Sequence, residues 1–232
     1  MATMTSAQNI LELRKISKRY DDEAGKLLAL SDVSLTIKSG DFVAIMGPSG
    51  SGKSTLMNII GLLDLPSSGE YLLHDKDISQ ASDRQLAYLR RDTIGFVFQA
   101  FNLLPRFSVL ENVQLPLMYK GVKASERRKR AREVLSSVGL DSKLKNKPSQ
   151  LSGRQVQRAA VARALINKPQ IILADEPTGN LDSKTSSEIM DLLSELNKKG
   201  TTIVVVTHDA HVASYARKTV RILDGRATET TT

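Results

Sequence analysis

The stretch Asp41–Thr55, DFVAIMGPSGSGKST, decides how the rest of this 232-residue chain is read. Phe42–Met46 is a short apolar run with the length and β-branched content of a buried strand. It stops at Gly47, and Gly47-Pro48-Ser49-Gly50-Ser51-Gly52-Lys53-Ser54 follows in the spacing G-x-x-x-x-G-K-[ST]. A helical pattern from Thr55 to Leu62 comes next. The glycines let the backbone curl so that successive N–H groups converge on phosphate oxygens, helped by the positive end of the helix. Lys53 is placed to reach the β- and γ-phosphates, and the Ser54 hydroxyl suits Mg²⁺. A Gly/Ser loop with a chance lysine would require neither the strand before it nor the helix after it. The stretch predicts a nucleoside triphosphate site, with Gly47, Pro48, Ser49, Gly50, Ser51, Gly52, Lys53, Ser54 and Thr55 as its binding residues.

Outward from this centre, apolar runs alternate with helical patterns. On the N-terminal side, Ile10–Ser17 alternates apolar and polar residues as a half-buried strand does, and Leu27–Ile37 supplies further strand material. On the C-terminal side, Leu65–Gly69 is a turn cluster, Glu70–His74 a short strand, and Ser82–Arg91 a helix with Ser82 as its cap. Thr93–Phe98 is a compact β run ending at Gln99. From Ala100 to Ser149 the character changes: after the Asn102–Pro105 break, helical periodicity governs Val109–Tyr119 and Ser125–Leu140. Strand–helix alternation then resumes with strand Gln170–Ala174, helix Ser183–Asn197, strand Thr201–Thr207, a short helix near Ala210–Tyr215 and strand Thr219–Leu223. Such alternation predicts an α/β fold with a mostly parallel sheet and helices on its faces, interrupted by a helical insert. The closing ATETTT, residues 227–232, is expected to fray. There are no internal repeats and no low-complexity linkers.

Composition narrows the classes. The 33 basic against 25 acidic residues give a net charge of +8, and there is no cysteine. Without cysteine there is neither a disulfide framework nor a thiolate zinc site, which fits a reducing compartment. The opening MATMTSAQN has no basic n-region or apolar h-region, so no secretory signal is expected. No apolar run approaches the roughly 18 residues a bilayer-crossing helix needs. Part of the positive charge lies in Glu126–Arg132 (ERRKRAR), with Lys143, Lys145 and Lys147 beyond. A solvated helix face is the first reading, contact with an anionic membrane surface the second. Nucleic acid is disfavoured because aromatic side chains for base stacking are scarce and none is interleaved with the cluster.

A phosphate loop alone does not separate the nucleotide-hydrolysing classes. Ile171–Ala174 is an apolar strand that delivers Asp175 and Glu176 at its C-terminal end, with side chains alternating along the strand. Asp175 can hold Mg²⁺ through water. Glu176 can orient or deprotonate the attacking water. Simple capping of the Pro177–Asn180 turn is the competing reading. Guanine recognition through N-K-x-D is disfavoured, because Asn146-Lys147, Asn167-Lys168 and Asn197-Lys198 all lack the Asp.

Leu151-Ser152-Gly153-Arg154-Gln155, running into Val156–Leu165, closely resembles the LSGGQ signature of the ATP-binding-cassette (ABC) ATPases. The order of phosphate loop, Gln99, signature, Asp175-Glu176, Asn180-Leu181-Asp182 and Thr207-His208-Asp209 matches the family over essentially the whole chain, Tyr20 to Gly225. Within the family, Leu56–Asp64, Leu89–Arg91 with Ile94–Gln99, and Ala174–Asp182 are similar to the macrolide-exporter and lipoprotein-release group. The resemblance implies a single ABC ATPase domain over residues 1–232. Its phosphate-loop α/β core with an N-terminal antiparallel β subdomain would span approximately 8–99 and 160–226, and a helical subdomain approximately 100–159. It implies ATP and Mg²⁺ as ligands, with Ser54, Gln99 and Asp175 toward the metal. Lys53, Gln99, Glu176 and His208 would be catalytic, and Tyr20 would stack on adenine. Ser152, Gly153, Gln155 and Asp182 would serve the nucleotide of a second copy, so that two ATP molecules are sandwiched in a homodimer.

A strand-end tyrosine, a plain loop glutamine and a helix cap are the competing readings for Tyr20, Gln99 and Asp182. The resemblance further implies an exporter or extractor subunit on the cytoplasmic face of the inner membrane. It would be peripheral through a permease that is a separate polypeptide, with an amphipathic or hydrophobic cargo. The Phe101–Phe107 stretch is either a docking surface for that permease or part of the insert's core. A mechanochemical ATPase that signals through a membrane partner is the alternative. One residue departs from the pattern: Arg154 stands where the family has glycine. It either weakens ATP sandwiching or adds a phosphate contact, which predicts an active ATPase with an altered dimer-closing step.

Overall fold

The structure is a computed structural model that describes residues 8–22 and 25–231. Residues 1–7 of the opening stretch and Thr232 of the closing one lie outside the described residues.

Two sheets form the frame. The first is antiparallel and runs in the order Gly25–Lys38 (β2), Asn9–Asp22 (β1), Ser68–Leu73 (β4), Lys76–Asp77 (β5). The second holds Phe42–Met46 (β3) near its centre, flanked by Lys218–Leu223 (β9) and Thr202–Val206 (β8), then Ile171–Asp175 (β7) and Ile94–Val97 (β6). These five strands are parallel. Arg226–Thr231 (β10) closes the far edge antiparallel to β9, pairing from Arg226–Leu223 to Thr231–Lys218. The expectation that the C-terminal ATETTT frays is thereby corrected. A turn at Asp224-Gly225, both at positive φ, folds it back onto β9, and Ala227 packs on the core. An alternating Thr-rich segment satisfies its backbone there in a way that composition alone does not reveal.

The strands are buried because both faces of the parallel sheet are covered, the situation in which strands read as continuous apolar runs. Along β3, Val43 and Ile45 enter a core shared with the antiparallel sheet and with Leu56, Ile59 and Ile60 of helix Lys53–Ile60 (α1). Phe42 and Ala44 point the other way, toward Met190 and Leu193 of helix Ser183–Lys198 (α6). A third cluster joins helices Val109–Tyr119 (α3), Ala124–Ser137 (α4) and Gly153–Leu165 (α5) through Val113, Leu117, Leu135, Ala159 and Ala162. Helix α5 belongs to two clusters, since its Val161 and Ala164 pack with the sheet face. Helix Asp83–Thr93 (α2) is capped by Ser82 as expected, with Gln85 completing a reciprocal capping box. The short helix Ala210–Ala213 (α7) follows β8.

Candidate nucleotide-binding site

Four neighbouring parallel strands, β3, β8, β7 and β6, end at one edge of the sheet, and the chain leaves them through Gly47, Thr207, Glu176 and Phe98. That edge, beyond the carboxyl ends of the strands, is where open α/β sheets hold ligands.

The loop after β3 has the shape of an anion cradle. A Cβ on Gly47 would lie 2.2 Å from the Ile222 carbonyl oxygen, so only glycine lets the loop start against β9. Gly52 has φ +107° and caps α1 without any side-chain hydrogen bond, and no acidic residue sits in the first turn. The amide groups at the start of α1 are therefore left for an outside anion, at the positive end of the helix. Lys53 Nζ donates to the carbonyl oxygens of Gly47 (2.8 Å) and Pro48 (2.7 Å), which poises its charge over the loop. Ser51, 5% exposed, has a buried hydroxyl with no hydrogen-bond partner among the described residues. Ser49, Gly50 and Ser54 are exposed along the mouth. The α1 helix starts at Lys53, two residues before the apolar period suggests, because the left-handed Gly52 turns the chain directly into it.

Glu176 is held in the left-handed region at φ +41°, an unusual conformation for a side chain of this size. Its N–H donates to the Val206 carbonyl (2.9 Å), which fixes the strained residue to the end of β8. Its carboxylate accepts three hydrogen bonds: Thr207 Oγ1 (3.1 Å), His208 N (3.1 Å) and His208 Nδ1 (2.7 Å). The glutamate side chain is 16% exposed and the histidine side chain 75%. Burial, then the neighbouring Glu176 charge, raises the Asp175 carboxyl above its ordinary range, and Lys53 pulls it back. The two acidic residues at the end of β7 thus stand beside the phosphate loop. Gln99 is tied to the turn that follows Glu176. Asn180 Nδ2 donates to the Gln99 carbonyl at 2.9 Å, and a Cβ on Gly179 would fall 2.6 Å from Gln99 Nε2.

Tyr20 reaches the phosphate-loop helix as well. Its hydroxyl donates to Asp64 Oδ2 at 3.0 Å, just past α1, and Lys18 Nζ lies 5.0 Å from its ring centroid. Burial and then Asp64 raise the Tyr20 hydroxyl's pKa, while a bond with Thr55 lowers it.

The remaining expected residues gather elsewhere. Ser152 caps α5: its Oγ accepts from Gln155 N, and its own N–H donates to Gln155 Oε1 at 3.0 Å. A Cβ on Gly153 would meet Leu181 at 3.3 Å. Asp182 caps α6 through Thr185 N (3.0 Å) and Thr185 Oγ1 (2.6 Å), the competing role considered for it. Among the described residues, no hydrogen bond or ion pair links Ser152, Gly153, Gln155 or Asp182 to the phosphate loop. Arg154 is outside the positive-φ set, so the helix start has no conformational need for glycine there.

Two residues that matter were not singled out from the sequence. Gln157 is fully buried on α5 and donates from Nε2 to the Pro177 carbonyl at 2.6 Å, one residue beyond Glu176. A polar residue on the apolar side of a helix was its available signal. Glu188, which pairs with Arg154, carried none, because only the packing of α5 on α6 brings them together.

Among the described residues no group of three or more histidine and acidic side chains could hold a metal by itself. A divalent ion at this edge needs phosphate oxygens to complete its shell, as Mg²⁺ commonly does. None of the helices among the described residues is long and apolar enough to cross a membrane.

A family model described as ABC transporter matches residues 30–179. The chain belongs to the ABC transporter ATPase family. It is 54% identical over 216 residues to an uncharacterized ABC transporter ATP-binding protein, YvrO, of Bacillus subtilis, covering 93% of this chain and 94% of that one. It is 49% identical over 226 residues to the macrolide export ATP-binding/permease protein MacB of Marinobacter nauticus. That match covers 97% of this chain but 35% of the MacB polypeptide, so the chain spans about a third of it. Among solved structures, the ATP-binding cassette MJ0796, described as a dimer in a post-hydrolysis state bound to ADP and Pi, aligns with a TM-score of 0.86 at 49% identity. The alignment covers 95% of this chain and 98% of that one. This ABC ATPase is thus the ATP-binding, ATP-hydrolysing component of a transporter, with the α/β fold of the family's cassettes.

Proposed function

We propose that this ATPase works as a pair of copies that close on two ATP molecules and drive a membrane permease for export or extraction of an amphipathic or hydrophobic cargo. One observation carries the reading. The phosphate loop, Glu176, His208 and Gln99 converge at one sheet edge, while the Ser152 turn is built separately and, among the described residues, makes no hydrogen bond or ion pair with the phosphate loop. Isologous pairing of two identical chains across a two-fold axis would give each phosphate loop the other's Ser152 turn. The MJ0796 dimer and the MacB resemblance support the pairing and the export direction.

In this reading Lys53 and the loop amides hold the triphosphate. Ser54, Gln99 and Asp175 would hold Mg²⁺, which spreads the charge of the phosphate oxygens when bound. Glu176 takes the attacking water's proton, and to do so one of its three donors must yield. His208, largely exposed, is the one free to swing away. Tyr20 contributes an aromatic face for adenine at the outer end. The helical part, residues 100–159 or so, carries the Ser152 turn as a subdomain.

The permease would dock on a cavity of about 640 Å³ lined by Tyr88, Arg91, Phe96, Phe98, Leu115 and Tyr119. This cavity adjoins the Gln99 loop, and its apolar floor suits a short amphipathic segment of a membrane subunit. Beside it, Leu103 packs into the helical cluster while Leu104 and Phe107 stay exposed. Docking there would hold the chain at the cytoplasmic face of the membrane.

Glu176→Gln tests the core of the proposal. It should retain ATP binding, lose turnover by roughly 100-fold or more, and accumulate ATP-bound dimers in light scattering. Near-normal hydrolysis would remove Glu176 from the role given to it.

A further inference from the structure

Arg154 is the second residue of α5, directly after Gly153, and its charge has the wrong sign for that place. A helix start is the positive end of the macrodipole and favours anions. The first turn of α5 has no acidic residue, and Ser152 Oγ is spent on Gln155 N, so the preceding amides of Gly153 and Arg154 have no acceptor among the described residues. The compensating charge comes from another helix. Glu188 Oε2 on α6 accepts from Arg154 Nη1 at 2.6 Å, with the two side chains 46% and 30% exposed. Asp182 lies near enough to favour the charged guanidinium, while Arg158 and Lys184 act on Glu188 from their own sides. Glu188 is thus a singly charged anion standing against a concentrated positive spot. A terminal phosphate carries more charge, and it offers oxygens that a planar guanidinium can grip in two places.

We infer that Arg154 and Glu188 form an exchange pair. In the single chain the guanidinium rests on Glu188; when two copies close, it moves to the terminal phosphate oxygens of the nucleotide held by the other copy. This rests on the two-copy reading above. Arg154 then acts as a trans phosphate contact whose engagement Glu188 restrains, and closure responds to the third phosphate more than to the rest of the nucleotide.

The test is the ATP concentration that half-assembles the dimer in the Glu176→Gln background, followed by sedimentation or light scattering. Adding Arg154→Ala should raise that concentration about tenfold. Adding Glu188→Gln, which frees the guanidinium, should lower it severalfold, and Arg154→Lys should fall between Arg and Ala because it keeps charge without the fork. Both shifts should shrink in high salt. With ADP in place of ATP, none of these substitutions should change assembly.

Assembly of the Arg154→Ala variant at the same or lower ATP would overturn the phosphate contact. A Glu188→Gln variant that needs more ATP would overturn the restraint. The underlying two-copy reading fails separately and earlier, if Glu176→Gln alone stays monomeric at millimolar ATP.

Discussion

The phosphate loop and the Ser152 turn are both helix starts aimed at anions, yet they are made in opposite ways. The loop is locked from every side: Gly47 against Ile222, Gly52 against Ala29, Lys53 folded onto the Gly47 and Pro48 carbonyls. Its helix start is left uncapped by any side chain. The Ser152 turn is capped by its own Ser152–Gln155 box, is exposed, and holds its charge balance through one ion pair to α6. One is a rigid receptacle finished by folding; the other is a stable helix end that acquires a purpose when something is brought to it. Such a division suits the two-copy reading proposed above, in which each chain would complete the other's cage.

Four substitutions sharpen or break this contrast, from the largest expected effect to the smallest. Gly47→Ala forces a methyl group against the Ile222 carbonyl. It should cost about 2–3 kcal/mol of stability and abolish ATP binding, read by chemical denaturation and nucleotide titration. A variant that folds and binds normally would show the loop to be pliable. Gln157→Leu leaves the Pro177 carbonyl without its buried donor. The loss should be about 1–2 kcal/mol, moderated because the unpartnered Oε1 departs with it, and hydrolysis should fall more than ATP binding since the disturbed peptide adjoins Glu176.

Ser152→Ala removes a cap and should cost about 1 kcal/mol. Hydrogen exchange should show that loss in the first turn of α5, with α1 unaffected. A matching loss in α1 would mean that the two helix starts are coupled within one chain. The smallest effect is at Asp92, whose carboxyl is pulled down to about 2 by its hydrogen bonds with Arg91 and then Lys120, joining α2 to the end of α3. A depressed folded value gives stability that is fully present above the unfolded pKa of about 3.9 and is lost as pH falls through about 2. The side chain is 44% exposed, so solvent screening limits the contribution to about 0.5 kcal/mol. Asp92→Asn should flatten the acid limb of a denaturation series between those pH values by that amount.

Most of the phosphate-loop half was legible in the sequence because its signals are local. A strand, a glycine spacing and a helix pattern lie within Asp41–Leu62, and Ile171–Glu176 repeats the logic of a strand that ends in function. The fold class followed from the alternation, and Ser82 was legible as a cap from its position alone. What escaped depends on packing between distant segments. The closing ATETTT is polar and Thr-rich, and only the partner strand β9 makes it a strand. Lys76–Asp77 is too short to carry a period. Glu188 lies 34 residues from Arg154, and no pattern joins them before α5 and α6 meet. Asp182 was legible as two things at once, and its cap on Thr185 is the one the single chain displays.

Helix α5 gives Val161 and Ala164 to the sheet-side cluster and Ala159 and Ala162 to the helical one. A helix shared in this way couples the two clusters, because close-packed side chains on one face cannot shift without disturbing those on the other. Ser152 at its start and Gln157, bonded to the peptide beside Glu176, lie on one element, so a displacement of either is felt at the other. On the two-copy reading, approach of the second molecule would thereby be geared to the placement of Glu176.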